Sequence, residues 1–152
     1  VDVNFDVTSK NMCLYMEYIK NNLTLAAEYN YARYFFEMEY PGSMARPLET
    51  EGYYVSAAYR FSDFYELGMY YSEYYADKDE RDPSTTGTRW LQTSDASLKD
   101  ICISNRFDIT QNWIFKLEGH LMDGTALMMK ENNPGEREDN WYLFGAKMTF
   151  SF

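Results

Sequence analysis

The chain has 152 residues and a formal net charge of −10, with 24 acidic and 14 basic side chains. This length suits a single domain, and the acidity excludes nucleic acid as an expected partner. No long apolar run of the kind that crosses a membrane as a helix occurs, so a helical membrane protein is also excluded. Two cysteines and one histidine are too few for a metal cluster or a disulfide scaffold. We therefore expect no metal and no cofactor.

Aromatic side chains make up 18% of the residues, and 15 of them are tyrosines. Aromatic residues favour strands, and Tyr and Trp favour positions where one end of the ring is dry and the other wet. The composition thus favours β structure at an interface. The chain starts at Val1 without a basic and apolar leader, which leads us to expect a mature form or a piece of a longer protein.

Apolar and polar residues alternate with a period of two along most of the chain, which predicts strands rather than helices. In chain order the predicted strands are 1–8, 12–19, 23–32, 53–62, 65–72, 100–109, 113–122 and 141–152. In each, one set of alternate positions is apolar and almost free of charge, while the other is small or polar. The second strand is the weakest, because Ile19 falls on the polar side with Glu17.

The predicted connections differ sharply in length. Short turns are expected at 20–22, 62–64 and 110–112, and long polar links at 39–51, 77–98 and 123–140. Short turns at one end and long loops at the other are typical of outer-membrane barrels. We predict an all-β fold: an antiparallel up-and-down transmembrane barrel of about eight strands. Residues 1–152 form one domain, or the C-terminal portion of a larger barrel, with both ends of the chain on the periplasmic side.

Aromatic residues at the strand ends favour lipid as the surroundings. Trp113 and Phe64 follow short turns, whereas Trp141 and Tyr75 border long links, as expected for two aromatic girdles. A strand of about 11 residues tilted by roughly 40° rises about 28 Å, near the ~25 Å apolar band of such barrels. A soluble β-sandwich or lipocalin-type barrel also alternates and is the competing interpretation.

Two segments, NWIFKLEGHLMDGTA at 112–126 and WYLFGAKMTFSF at 141–152, resemble the last strands of Gram-negative outer-membrane porins related to the phosphate-selective group. Tyr29 and Tyr59 also fit strands of that family. The resemblance implies the C-terminal half of a sixteen-stranded barrel that assembles as a homotrimer in the bacterial outer membrane, among lipid and lipopolysaccharide. It also implies a C-terminal signal read by the barrel assembly machinery, carried by Phe152, Phe150, Met148 and Tyr142.

The leading functional prediction is a porin-like channel for passive diffusion of small hydrophilic solutes or ions. The predicted pore-lining residues are Glu28, Arg60, Glu66, Arg106, Asp108, Lys116, Glu118, His120 and Lys147. Inward acids outnumber inward basic residues, so phosphate is not the expected solute. One alternative is a closed eight-stranded barrel, filled by paired charges, with a structural or surface-binding role through its loops. The second is a soluble ligand-binding barrel.

The histidine raises the question of catalysis, because Ser104 lies on the preceding strand and on the same predicted face. A Ser–His–acid set needs contact between its members and access to substrate, and His120 is expected to point away from lipid. We therefore predict a structural or pore-lining histidine and no enzyme activity. For Lys116 and Glu118 we expect ion pairs with Arg106 and Asp108 on the neighbouring strand.

Two further features are expected to have no special chemistry. Cys13 and Cys102 fall on opposite walls of the predicted barrel, beyond the separation that a disulfide spans, so they are expected to be separate thiols. The acidic segment 77–80 offers oxygen ligands for calcium, but Lys78 and Arg81 interrupt the ligand spacing. We expect a solvated loop there.

Overall fold

The computed structural model describes residues 5–38, 47–81, 95–128 and 138–152. In these ranges seven strands form one antiparallel sheet whose spatial order follows the sequence. The strands are β1 (Phe5–Lys20), β2 (Leu23–Met38), β3 (Leu48–Arg60), β4 (Tyr65–Tyr75), β5 (Ser97–Asp108), β6 (Trp113–Gly124) and β7 (Asn140–Phe150). No helix within the described ranges is long and apolar enough to traverse a bilayer. The predicted all-β, antiparallel, up-and-down architecture is confirmed.

The predicted count of eight strands is wrong for the described residues. The predicted strands 1–8 and 12–19 are joined in β1, whose ladder with β2 runs without interruption from Phe5↔Met38 to Lys20↔Leu23. The polar residues at 9–11 contain neither Gly nor Pro, and each keeps a partner in β2. A change in side-chain pattern alone therefore does not end a strand when the backbone pairing continues. Residues 1–4 lie outside the described ranges.

The sheet is open, which corrects the prediction of a closed barrel. β1 and β7 are its two edges, and every described side chain of β1 is exposed on both faces. Since seven strands is an odd number, β1 begins at the end of the sheet that carries the long links, and β7 finishes at the opposite end. The prediction that both ends lie on one side is therefore also wrong for the described strands.

The alternation of short turns and long links is confirmed. Asn21, with a φ of 52°, makes the left-handed bend of the two-residue turn between β1 and β2. In the next short turn, the Ser62 hydroxyl accepts hydrogen bonds from the backbone N–H groups of Phe64 (3.3 Å) and Tyr65 (3.2 Å). Such Ser and Thr hydroxyl bonds close a turn without glycine. We call this end of the sheet the short-turn end and the other the long-link end.

Polarity in this sheet is the reverse of that in a water-soluble domain. On β5, Ile101 and Ile103 are 44% and 52% exposed, whereas Asp100 is 8% and Cys102 is 0% exposed. Among the described residues, Ala96 and Cys102 are the only apolar ones that are buried. In a soluble protein the aliphatic residues are the ones most often buried. This sheet therefore has an apolar face that is open and a polar face that is sheltered.

Candidate functional site: the polar face of the sheet

The cross-strand register places the predicted pore-lining residues on one side of the sheet, which we call the polar face. They are Glu28, Arg60, Glu66, Arg106, Asp108, Lys116, Glu118, His120 and Lys147. Their side chains point to the same side of the sheet as the buried Asp100 and Cys102 of β5. The alternation read from the sequence thus assigns the correct face to each residue.

A row of charges crosses the polar face near the short-turn end. Arg60 lies opposite Glu66, which lies opposite Arg106, and the row continues through Lys116 to Lys147 on β7. Three consecutive residues of this row, Arg106, Lys116 and Lys147, are basic. Like charges directly opposite each other on adjacent strands are destabilising unless counter-charges are close.

The counter-charges come mostly from the same strand. Asp108 accepts hydrogen bonds from the guanidinium groups of Arg60 and Arg106, the latter at 2.8 Å, and Glu118 lies 3.1 Å from Lys116. The predicted cross-strand pairing of Lys116 and Glu118 with Arg106 and Asp108 is therefore wrong. Its physical reason is the register, which sets Arg106 directly opposite Lys116. For Arg106 and Lys116 the neutralising acid stands two positions further along the same strand, whereas Arg60 pairs with Asp108 and Glu66 of other strands.

The charge row ends on β7 with a residue that differs from the others. Lys147 is exposed and has no acidic partner among the described residues, whereas Arg60 also reaches Glu66 at 3.5 Å. These pairs are one-sixth to two-fifths exposed, and ion pairs of that kind contribute about 0–1 kcal/mol each. The row therefore sets the electric field above the polar face more than it stabilises the sheet.

A second group lies closer to the centre of the polar face, and we call it the histidine cluster: Tyr70, Asp100, Cys102 and His120. The Tyr70 hydroxyl donates to Asp100 Oδ2 at 2.5 Å and lies 3.3 Å from His120 Nδ1. The same Nδ1 is 3.1 Å from Asp100 Oδ2, and His120 Nε2 is 3.8 Å from Cys102 Sγ. The cluster is almost closed to solvent, since the side chains of His120 and Asp100 are each 11% exposed.

The sequence reasoning missed this cluster although its signal was present. The turn at 110–112 was predicted correctly, and residues equidistant from its centre must face each other across β5 and β6. That rule sets Cys102 opposite His120 and Ser104 opposite Glu118. Ser104 does lie on the preceding strand and on the same face as His120, as predicted, but the residue directly opposite His120 is Cys102.

The histidine cluster has the order thiol, imidazole and carboxylate that also occurs in nucleophilic catalysis. Here the thiol belongs to a residue with 0% exposure, so the sulfur presents no surface to an organic substrate. Cys13 and Cys102 are both free cysteines, the first exposed and the second buried. Within the described part of the chain, no group of three or more His, Cys, Asp and Glu side chains is arranged to hold a metal ion.

The apolar face carries stacked aromatic rings at the short-turn end. Phe64 lies 5.7 Å from Phe107 and Trp113 lies 4.9 Å from Phe150, measured between ring centroids. Tyr59, Phe61, Tyr65 and Phe115 extend the same band. Rings that pack this way form a continuous apolar border. The predicted positions of Phe64 and Trp113 are confirmed.

Tyrosine hydroxyls bonded to carboxylates form the band at the long-link end of the apolar face. Glu73 accepts hydrogen bonds from three tyrosines, among them Tyr75 at 2.7 Å. Tyr29 donates to Glu51 at 2.8 Å, and Tyr31 donates to Glu49 at 2.7 Å. Each ring thus lies against the apolar zone while its hydroxyl reaches a charge.

Not every predicted girdle residue lies on the apolar face. Trp141 lies at the long-link end as expected, but on the polar face, where its indole N–H donates to the Gly124 carbonyl at 3.1 Å. The residues of the predicted assembly signal do lie on the apolar face. Their exposures are 71% for Tyr142, 56% for Met148, 52% for Phe150 and 111% for Phe152.

The link after β4 contacts the sheet, although Asp79 and Arg81 are exposed as expected for a solvated loop. Lys78 Nζ is 2.8 Å from Asp79 and 3.1 Å from Glu49 on β3, and Asp77 is 5% exposed. The hydrogen bonds to Asp79 and Glu49 raise the pKa of the Lys78 ammonium above its usual range. The two carboxylates near Lys78 are thus already neutralised by a cation of the chain.

No protein-family model, curated protein or solved structure matches the chain. The porin resemblance of segments 112–126 and 141–152 therefore stays a prediction, and the functional argument depends on the two faces of the sheet.

Proposed function

We propose that the chain forms part of the wall of an outer-membrane β-barrel channel that passes small hydrophilic solutes or ions by diffusion. The observation that carries the proposal is the reversed polarity of the sheet. The middle of its open face is aliphatic and aromatic, and its sheltered face holds the charge row. A sheet of this kind suits lipid on one side and water on the other.

The size of the apolar face favours lipid over water. It includes Leu25, Val55, Leu67, Met69, Ile101, Ile103, Leu117, Leu121, Phe144 and Met148, each at least 37% exposed. Soluble monomers rarely expose apolar patches beyond a few hundred Å². Fully removing one such side chain from water contributes about 1.5–3 kcal/mol, so ten of them make contact with lipid strongly favourable.

The height of the apolar zone agrees with a bilayer. On β6 the apolar face is free of charge from Trp113 to Leu121, and Asp123 follows at the next position on that face. Eight residues at about 3.3 Å each, tilted by roughly 40°, rise about 20 Å, slightly less than the ~25 Å band of such barrels. The two aromatic bands border this zone, as interfacial aromatics do in membranes.

A channel also needs the edges of the sheet to be covered. The unpaired N–H and C=O groups of β1 and β7 cannot remain in hydrocarbon, because each unsatisfied group costs several kcal/mol. The proposal therefore includes further strands that complete the wall, and assembly in the outer membrane by the barrel assembly machinery. Lipid and lipopolysaccharide would contact the apolar face, and a homotrimer is the proposed assembly. The polar face, with its charge row, would line the pore.

One observation favours the alternative of a filled barrel without a pore. Arg60 and Arg106 both pair with Asp108, so these charges are partly neutralised within the face. In a small closed barrel such pairs fill the interior. The protein would then act through its loops as a structural or surface-binding element.

Single-channel recording in a planar bilayer, with the whole chain folded in detergent, distinguishes these functions. The channel proposal predicts regular current steps. It also predicts that Lys147→Gln shifts the ion selectivity toward cations, because Lys147 is the unpaired cation of the row. Lys99→Gln is the matched control, since Lys99 lies on the apolar face and reaches Asp123 at 3.4 Å.

Three results would count against the proposal. A chain that folds in lipid without conducting would contradict a pore formed by this chain alone, and equal selectivity shifts in both lysine variants would show that the polar face does not line the pore. A chain that stays dissolved without detergent and ignores lipid vesicles would refute the membrane assignment altogether.

A further inference from the structure

The histidine cluster has a pair of donor atoms that the proposed channel does not use. His120 Nε2 and Cys102 Sγ face each other across β5 and β6 at 3.8 Å. We propose that this pair binds a univalent soft metal cation of the Cu⁺ and Ag⁺ class. The proposal differs from the sequence-based expectation of no metal site, and it does not depend on whether the polar face lines a channel.

The hydrogen bonds of the imidazole direct its lone pair at the sulfur. Nδ1 lies 3.1 Å and 3.2 Å from the two oxygens of Asp100, so the carboxylate holds the proton on Nδ1. In the neutral form of the ring this tautomer leaves the lone pair on Nε2, on the side of the sulfur. Metal-bound histidines usually have such a carboxylate on their other nitrogen, where it fixes the ring and raises its basicity. Tyr70 in turn donates to Asp100 and fixes the carboxylate.

The separation of the two donors suits a bound cation. Bond lengths like those of zinc, about 2.3 Å to sulfur and about 2.1 Å to nitrogen, would meet at an angle of roughly 120° across this gap, and the linear geometry of a two-coordinate soft ion would require the donors to stand about 4.4 Å apart. Continuous antiparallel pairing holds both residues, because Cys102 and His120 are directly opposite in the ladder. The donors therefore need little movement to close on an ion.

The number and type of donors select the class of cation. Two protein donors are too few for structural zinc or for calcium, which take four or more ligands. Thiolate sulfur and imidazole favour soft ions, and univalent soft ions accept two or three donors. Asp100 and Glu118, which stands two positions before His120 on the same face, add negative charge that favours a cation. Binding replaces the thiol proton: Cys102–SH and M⁺ give Cys102–S–M and H⁺, with no change of oxidation state.

Silver ion is a suitable probe because it needs no reductant. The experiment is calorimetric titration of the full chain carrying Cys13→Ser, folded in detergent, with silver nitrate in chloride-free buffer. We expect one Ag⁺ per chain and release of one proton, measured by repeating the titration in buffers of different ionisation enthalpy. Cys102→Ser should abolish binding, His120→Gln should weaken it at least tenfold, and Asp100→Asn should weaken it about 10–100-fold.

The second cysteine supplies the control. A chain that keeps Cys13 and carries Cys102→Ser has one exposed thiol without the histidine. If Cys13 binds Ag⁺ as tightly as Cys102 does, or if His120→Gln has no effect, the site is an ordinary thiol and the proposal is wrong. X-ray absorption at the silver edge of the Cys13→Ser chain needs no variant of the cluster. Sulfur together with nitrogen neighbours would support the site, and sulfur neighbours alone would overturn it.

Discussion

A lysine placed in the middle of the apolar face distinguishes lipid from water as its surroundings. Ile103 lies near the middle of β5 and is 52% exposed, between the two aromatic bands. In a bilayer, Lys at the midplane of a barrel surface costs about 2–4 kcal/mol. On a water-exposed surface the same substitution changes stability by about 0.5 kcal/mol at most. We expect Ile103→Lys to lower the free energy of unfolding by the larger amount.

Ile109 offers a matched control at another depth. It is 50% exposed, close to the value for Ile103, but it follows β5 at the short-turn end. Lysine near the interface of a bilayer costs only about 0–1 kcal/mol. Ile109→Lys should therefore be tolerated while Ile103→Lys is not, although chemistry and exposure are the same.

Equilibrium denaturant titration in phospholipid vesicles measures both variants against the parent chain. A difference of about 2 kcal/mol between them corresponds to a change of roughly thirtyfold in the folding equilibrium, well above the error of the method. Equal and small losses in both variants would refute the reasoning, because they would show that depth on the apolar face has no energetic meaning. The same pair of variants measured in detergent micelles should show a reduced difference.

Three other expectations concern assembly, backbone strain and charge. Removal of Phe152 should lower the fraction of chain that reaches the heat-modifiable folded form on gels, and unchanged assembly would argue against a C-terminal signal. Gly124→Ala should destabilise by about 1–3 kcal/mol in denaturant titration, because φ is +97° and a Cβ would lie 2.0 Å from a backbone oxygen; Gly119→Ala, with its nearest atom 3.6 Å away, should be mild. Folding raises the pKa of Lys78, so its contact with Glu49 adds stability below the ordinary lysine pKa and loses it as the pH rises through the folded value. The denaturant midpoint should thus fall more steeply in alkaline solution for the parent than for Lys78→Gln.

The face of the pore-lining residues could be predicted from the sequence because a period of two leaves little freedom once a strand is recognised, whereas Val7 lies on the polar face although the pattern assigned it to the apolar one. Ile101 and Ile103 alternate with Asp100 and Cys102, and the structure separates them as the pattern indicates. The short turns could also be predicted, since polar residues that include Ser, Thr and Asn stand between apolar runs.

The residues that pair across neighbouring strands were harder to predict from the sequence than the faces. The break placed at 9–11 was wrong because strand continuity depends on the backbone of β2, which the pattern of β1 does not contain. The histidine cluster escaped notice because it joins Tyr70 with three residues of later strands, and its detection requires the register as well as the face. Closure of the sheet into a barrel depends on whether its two edge strands pair, and the alternation of residues within a strand carries no information about that pairing.

The opposite positions of the start of β1 and the finish of β7 restrict how the open edges can be covered. The two edge strands run in the same direction, because five strands of alternating direction lie between them. Only an odd number of inserted strands keeps every neighbour antiparallel when the wall closes. Two copies related by rotation about an axis along the strands would set β7 of one beside β1 of the other as parallel neighbours, with slanted hydrogen bonds. Because the sheet has an odd number of strands, a wall completed by other strands can be antiparallel throughout, whereas a wall completed by repetition of this sheet must contain parallel neighbours.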